Sequence, residues 1–307
     1  MGINVKAPFE LGKLFFVVLY VVLAGLSNWA ALAYVHDLSG REALPDIVFS
    51  LIDEQPWALK VGDAMAAISG ASIILLFVFH KHRVIVAKRV IFIVASLYTM
   101  RTFTLISTQL PPGYKDNYLR CRSQYPPDQR SATTFLRRLL EQTKAIGFQN
   151  NQEKMLCGDL LFSGHTLMMI VSTLSVGYYL PTMLKPLRYL LGLFSVVGMT
   201  CMIISRTHYS IDVLISYFLS AGFFTIYHSY VEIETTKERK NSIIGRLWVT
   251  KVIGWLEENV IPGRLENKLE IPFIKRNDKT SHKSFTTTCP ESHVSVDIAP
   301  TLVTASL

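Results

Sequence analysis

Apolar runs as long as a bilayer is thick dominate the chain, and they decide its fold class before any single residue is considered. Leu14 to Tyr34 is apolar over about twenty residues, enough for a helix to cross a hydrocarbon core of roughly 30 Å. Further runs lie at about 61–79, 90–110, 160–180, 188–205 and 211–230, which predicts an all-α polytopic membrane protein with six spans. Half of the chain is hydrophobic and only 18% is charged, which excludes an ordinary soluble domain. Ala31-Leu32-Ala33 resembles a signal-peptide cleavage site, but the run before it exceeds the roughly 7–15 residues of a signal core. It is read as the first span. The expected organisation is a cytoplasmic N-terminus at 1–12, a six-helix transmembrane domain with the catalytic candidates at 13–232, and a cytoplasmic tail at 233–307.

Charge sets the expected orientation. Lys81, Arg83, Lys88 and Arg89 follow the second run, Lys185 and Arg188 follow the fourth, and Lys237, Arg239 and Lys240 follow the sixth. All fall on one side of a six-span chain, which the positive-inside rule makes cytoplasmic. Loops 37–60 and 111–156 then face the lumen or the exterior. The net charge of +8 fits basic loops near anionic lipid, and no basic stripe with interleaved aromatics points to nucleic acid. His80 and His82 read as cytoplasmic loop residues, and His228 as a surface residue near the inner end of the last span. Lys6 stands where N-myristoylation after Met1-Gly2 would need Ser or Thr.

Cysteines occur at 121, 157, 201 and 289, with no CxxC pair and so no zinc signature. Cys201 reads as a core residue. Cys121 and Cys157 flank the long loop and can bridge if that loop is lumenal. In the tail, Ile243, Ile244, Leu247, Trp248, Lys251 and Trp255 fit either a helix on the membrane surface or a short helix packed on the bundle. Residues 277–307, rich in Ser, Thr and Pro, read as disordered.

Chemistry concentrates in two strings at the outer ends of the spans. The first is Cys157-Gly158-Asp159-Leu160-Leu161-Phe162-Ser163-Gly164-His165-Thr166, and the second is His208-Tyr209-Ser210-Ile211-Asp212. Ionisable groups at membrane depth are costly and by default mark function. His208 and Asp212 share a helical face at i, i+4, so the carboxylate can fix one imidazole nitrogen and activate the other. His165, from another helix, is free to act as acid or base. Gly164 would let a phosphate oxygen approach, and the free N–H groups at the start of span four suit an anion. Ser163 joins them as a candidate. Asp159 either caps span four or joins the site. Arg206 and Arg101 either bind phosphate or snorkel. Taken singly, each histidine would be an ordinary interface residue; together they point to phosphoryl transfer on a lipid.

Ser163-Gly164-His165 and His208-x-x-x-Asp212 resemble the histidine motifs of the type-2 phosphatidic acid phosphatase superfamily. The longer strings, with Tyr227-His228 downstream, resemble the sphingomyelin synthase family. Leu44-Pro45-Asp46 matches one element of that family in part, and Arg101 through Leu110-Pro111 is similar to its third-span motif. The resemblance covers about residues 40–230. It implies a lumenal or exterior site, in the Golgi or plasma membrane, that moves phosphocholine from phosphatidylcholine to ceramide and yields sphingomyelin and diacylglycerol. On that carry-over His208 forms a phosphohistidine, His165 serves the leaving and entering oxygens, and Asp212 supports His208. Arg206 lies too near His208 to inherit the phosphatase arginine's role. Family members often carry an acidic residue before the second histidine, where this chain has Thr207, which leaves the head group open. Ceramide phosphoethanolamine or inositol phosphorylceramide synthesis, lipid phosphate hydrolysis, and non-enzymatic lipid transport remain the alternatives. No cofactor or metal is expected; membrane lipids are the expected partners, with a homo-oligomer left open.

Overall fold

The computed structural model describes residues 10–144, 154–260 and 263–270. The expected disorder of 277–307 and most of the N-terminal segment lie outside the described residues. Among the described residues the secondary structure is helical, with two isolated bridges and no strand. The helices are α1 (Leu11–Val35), α2 (Ile47–Leu51), α3 (Pro56–Phe79), α4 (Arg83–Ser107), α5 (Asn117–Arg120), α6 (Ala132–Lys144), α7 (Gly164–Tyr179), α8 (Pro186–Ile204), α9 (Ser210–Glu232), α10 (Thr236–Asn241) and α11 (Trp248–Leu256).

Five helices, α1, α3, α4, α8 with the turn before it, and α9, are long and apolar enough to cross a membrane. Helix α7 has 16 residues, about 24 Å at 1.5 Å per residue, and is shorter than the expected 160–180. Its start is delayed because Ser163 takes the N-cap, accepting from the Thr166 N–H at 3.3 Å. It is the central helix and packs on α3, α4, α8 and α9. Glycines permit the close approach: a Cβ on Gly62 of α3 would meet Met202 Cε at 2.6 Å, and one on Gly198 would meet Met169 Sδ at 2.5 Å. Prolines at the first turns of α3 and α8 fit a position whose N–H needs no helical partner.

The basic residues after the second run are not all in a loop. Lys88 and Arg89 lie inside α4 and are buried. Arg89 makes a two-pronged pair with Glu257, at 3.0 and 2.7 Å, and Tyr227 donates to the same carboxylate at 2.9 Å. Lys88 reaches Glu10 at 3.3 Å and the Leu256 carbonyl at 2.6 Å. A tail residue far along the chain thus supplies the charge that lets α4 start early. His228 is buried, not a surface residue, its Nε2 2.7 Å from the Tyr179 hydroxyl; His80 does lie in the link between α3 and α4 but is buried there, its Nδ1 accepting from the His82 N–H at 3.0 Å. In the tail, α11 buries Val249, Ile253 and Leu256 against the bundle.

At the other end of the bundle, Cys121 and Cys157 form a disulfide with Cα atoms 5.6 Å apart. His36 lies behind it, its Nδ1 accepting the Cys157 N–H at 2.9 Å. Burial, and then the nearby Arg138 charge, lower the His36 pKa to about 4. Arg138 on α6 pairs with Asp37 at 2.5 Å and seats the outer loop on α1.

Candidate active site

The loop before α7 and the turn before α9 meet over one carboxylate. Asp212, fully buried in the first turn of α9, accepts from the Leu161 N–H through Oδ1 at 2.8 Å. Its Oδ2 accepts from the Tyr209 N–H at 2.9 Å and lies 3.3 Å from His208 Nδ1. It is at once a helix cap, a clasp between two loops and the orienter of an imidazole. With Nδ1 held, Nε2 of His208 is the nitrogen left for substrate. Ser216 adds a second clasp, donating to the Ser163 carbonyl at 2.8 Å.

Both loops carry backbone strain. Leu161 (φ 70°) and Arg206 (φ 58°) are the non-glycine residues in the left-handed region among the described residues. Such conformations cost about 1–3 kcal/mol each and cluster at functional sites. Here they turn the chain four residues before His165 and two before His208.

His165 stands in the first turn of α7, its ring centroid 6.3 Å from that of His208. Its Nε2 lies 3.2 Å from Asp63 Oδ1 of α3. This pair is half-exposed, while His208 and Asp212 are closed off. The Gly164 and His165 N–H groups at the start of α7 have no partner among the described residues and can receive an anionic oxygen.

Arg101 of α4 is buried and fully engaged. Its Nε donates to the Phe162 carbonyl at 2.7 Å, a terminal nitrogen donates to Asn28 Oδ1, and the other pairs with Asp159 at 2.5 Å. A Cβ on Gly164 would lie 3.5 Å from its guanidinium carbon. The charge therefore sits directly beneath the start of α7 and does not snorkel. Asp159 is not the cap, because Ser163 is; Asp159 is the partner of Arg101. Arg206 points elsewhere: it donates to the Phe49 carbonyl at 2.9 Å and covers the Phe49 ring at 4.8 Å. The Thr207 hydroxyl is 2.8 Å from that of Ser205 and also bonds the Tyr114 phenol, whose pKa burial raises. Among the described residues no three His, Cys, Asp or Glu side chains converge to hold a metal ion.

Sequence reasoning missed Asp63 and Asn28. Asp63 carries a signal that the sequence reading did not use, an acid within the apolar run at about 61–79. Asp46 was noticed as part of a motif, yet its work was not legible: it caps α2 and accepts from the Ser210 N–H and hydroxyl at 2.8 and 3.0 Å, pinning the start of α9.

Comparison with known proteins places this geometry. The PAP2 superfamily C-terminal family matches residues 156–229, the stretch holding Asp159, His165, His208 and Asp212. The Caenorhabditis elegans "Putative phosphatidylcholine:ceramide cholinephosphotransferase 3" is 49% identical over 86% of this chain and 76% of its own length. The chain belongs to the phosphatidylcholine:ceramide cholinephosphotransferase, or sphingomyelin synthase, family. "Phosphatidylcholine:ceramide cholinephosphotransferase 2" of the same worm is 32% identical over 83% of this chain and 76% of its own length. The Homo sapiens "Phosphatidylcholine:ceramide cholinephosphotransferase 1" is 28% identical over 82% of this chain and 61% of its own length. Asn28, Asp63 and Arg101 lie outside the superfamily match, and it is the bundle that brings them to it.

Proposed function

We propose that the protein transfers phosphocholine from phosphatidylcholine to the primary hydroxyl of ceramide, releasing diacylglycerol and forming sphingomyelin. The observation that carries this reading is the Asp212–His208 pair facing His165 across the 6.3 Å between ring centroids, which is room for one tetrahedral phosphoryl group. The names of the relatives supply the head group and the acceptor.

In the first step His208 Nε2 attacks phosphorus and the bond to the diacylglycerol oxygen breaks. His165 gives that oxygen its proton, leaving phosphocholine on His208. In the second step His165 takes the proton of the ceramide hydroxyl, whose oxygen attacks phosphorus and expels His208. One proton leaves His165 and one returns, so the pair is reset. The free N–H groups at the start of α7 and the buried Arg101 beneath them stabilise the phosphoryl oxygens as charge builds.

We further read α7 as the sixth span, with the site facing the lumen or the exterior. The Cys121–Cys157 disulfide at the site end supports an oxidising compartment there. Lys81, Lys185, Arg188, Lys237 and Lys240 at the opposite end support a cytoplasmic face. The test is to supply labelled ceramide to the purified protein with each phospholipid donor in turn. Labelled sphingomyelin from phosphatidylcholine is expected. Product only with an ethanolamine or inositol donor would replace the head group, and release of head group without ceramide product would make the protein a hydrolase.

A further inference from the structure

The tail carries a surface that the catalytic reading does not use. Helix α11 has two opposite stripes. Val249, Ile253 and Leu256 face the bundle, whereas Trp248, Lys251 and Trp255, at i, i+3 and i+7, face outward. Trp248 is 76% exposed, and Ile243, just before it, is 84% exposed. Leu247 lies exposed between them.

Packing fixes the depth of this stripe. Trp255 meets Phe16, in the second turn of α1, edge-on at 5.2 Å between ring centroids. Gly254 lies against the Tyr230 hydroxyl in the last turn of α9, and Glu257 against Arg89 near the start of α4. The outward stripe is therefore level with the ends of three spanning helices, where hydrocarbon gives way to head groups. Tryptophan is enriched at that level, its ring in the apolar layer and its N–H in the wet one.

Charge identifies the lipid. Residues 236–256 hold exposed Lys237, Lys240, Arg246 and Lys251 against a single acid, Glu238. Glu10, Glu257 and Glu266 at this end pair with Lys13, Lys81, Lys88, Arg89 and Lys268, and none of the ion pairs among the described residues involves the four exposed cations. We propose that the segment from Lys237 to Trp255 is an anionic-lipid collar: Ile243, Leu247, Trp248 and Trp255 enter the interface, and the four exposed cations hold anionic head groups around this end of the bundle. Each basic residue near such a surface adds to the attraction, so four together give a strong preference.

The full-length protein, with Trp29 and Trp57 replaced by phenylalanine, would be reconstituted in phosphatidylcholine vesicles. Either phosphatidylserine or phosphatidylcholine bearing brominated acyl chains is added at equal mole fraction, and quenching of Trp248 and Trp255 is read. Quenching by the brominated serine lipid should exceed that by the brominated choline lipid by about twofold or more. High salt should remove the excess, as should a variant with Lys237, Lys240, Arg246 and Lys251 all changed to glutamine. Equal quenching by the two lipids overturns the proposal, as does an excess that survives in the glutamine variant. Absence of quenching by both places the stripe in water or under protein and overturns it as well. The measurement needs no turnover, so it stands apart from the proposed reaction.

Discussion

Asp63 Oδ1 lies 3.2 Å from His165 Nε2, so each histidine of the site has a carboxylate of its own. The two pairs differ in environment. The Asp212 pair is sealed and suits a nucleophile that must not meet water. The Asp63 pair is half-open and suits a group that exchanges protons with incoming lipid. Asp63→Asn is expected to lower kcat about tenfold to a hundredfold, less than the roughly 10²–10⁴-fold of a group that itself moves the proton, with little change in KM for either lipid. Asp63→Glu should restore part of the rate. In a His165→Ala background the asparagine change should cost nothing further, because the two act as a unit. Additive losses would show that Asp63 does not act through His165.

His208→Ala is expected to abolish transfer while the protein remains folded and inserted, read by labelled-lipid turnover beside a thermal melt. Asp212→Asn should be severe in both assays. It removes the charge that orients His208 and weakens charge-assisted acceptance of the Leu161 and Tyr209 N–H groups, worth about 1.5–3 kcal/mol each. A variant with normal melting and no activity would confine the role of Asp212 to the imidazole.

The disulfide holds the loop segment that delivers Asp159 to Arg101. Reduction, or Cys121→Ser with Cys157→Ser, should cost about 2–4 kcal/mol of stability and lower the rate of transfer. Reoxidation should restore the reduced wild type. An unchanged rate in the presence of reductant would show that Arg101 positions the start of α7 without that loop.

His36 makes the outer loop sensitive to acid. Its folded pKa of about 4 lies below the ordinary value of 6.5, so the unfolded chain takes up the proton first. Stability is complete above about 6.5 and falls as pH drops toward 4. Protonated Nδ1 can no longer accept the Cys157 N–H. Between about pH 6.5 and about pH 5 this single group is worth on the order of 2 kcal/mol. Melting of His36→Gln should show a correspondingly shallower pH slope than the wild type.

Thr207 adjoins His208, the proposed nucleophile, and its hydroxyl is taken by Ser205 and Tyr114. Thr207→Asp or Thr207→Glu would break those bonds and place a negative charge beside the donor head group. The choline-to-ethanolamine product ratio, measured with both donors present together, should shift while activity persists. The same ratio in both variants would move selectivity to other residues.

The membrane class was legible because a bilayer imposes a length and a composition on any chain that crosses it. The His208–Asp212 pair was legible because its members are only four positions apart, although His208 precedes α9 and does not share its helix; the cysteine bridge was legible only as conditional on the compartment that the long loop faces. What escaped depends on partners distant in sequence. Lys88 and Arg89 read as loop cations because nothing nearby showed that Glu10 and Glu257 would neutralise them. Asp159 stayed open between a cap and a site residue because its partner is on α4. Arg206 read as a phosphate or interface residue, while Phe49 occupies it.

Helix α4 is clamped ionically at two levels. Arg89 is fixed by the tail and Arg101 by the loop that leads into α7 and His165, about 18 Å apart along one unbroken rod. Loss of the Glu257 carboxylate would strand a buried guanidinium at a cost of about 3–5 kcal/mol. The relief available to α4 is to slide or tilt, and it cannot do so without dragging Phe162 and Gly164 with it. An inherited or engineered change in the tail, about 18 Å along α4 from the Arg101 clamp, would then present in an assay as a damaged active site.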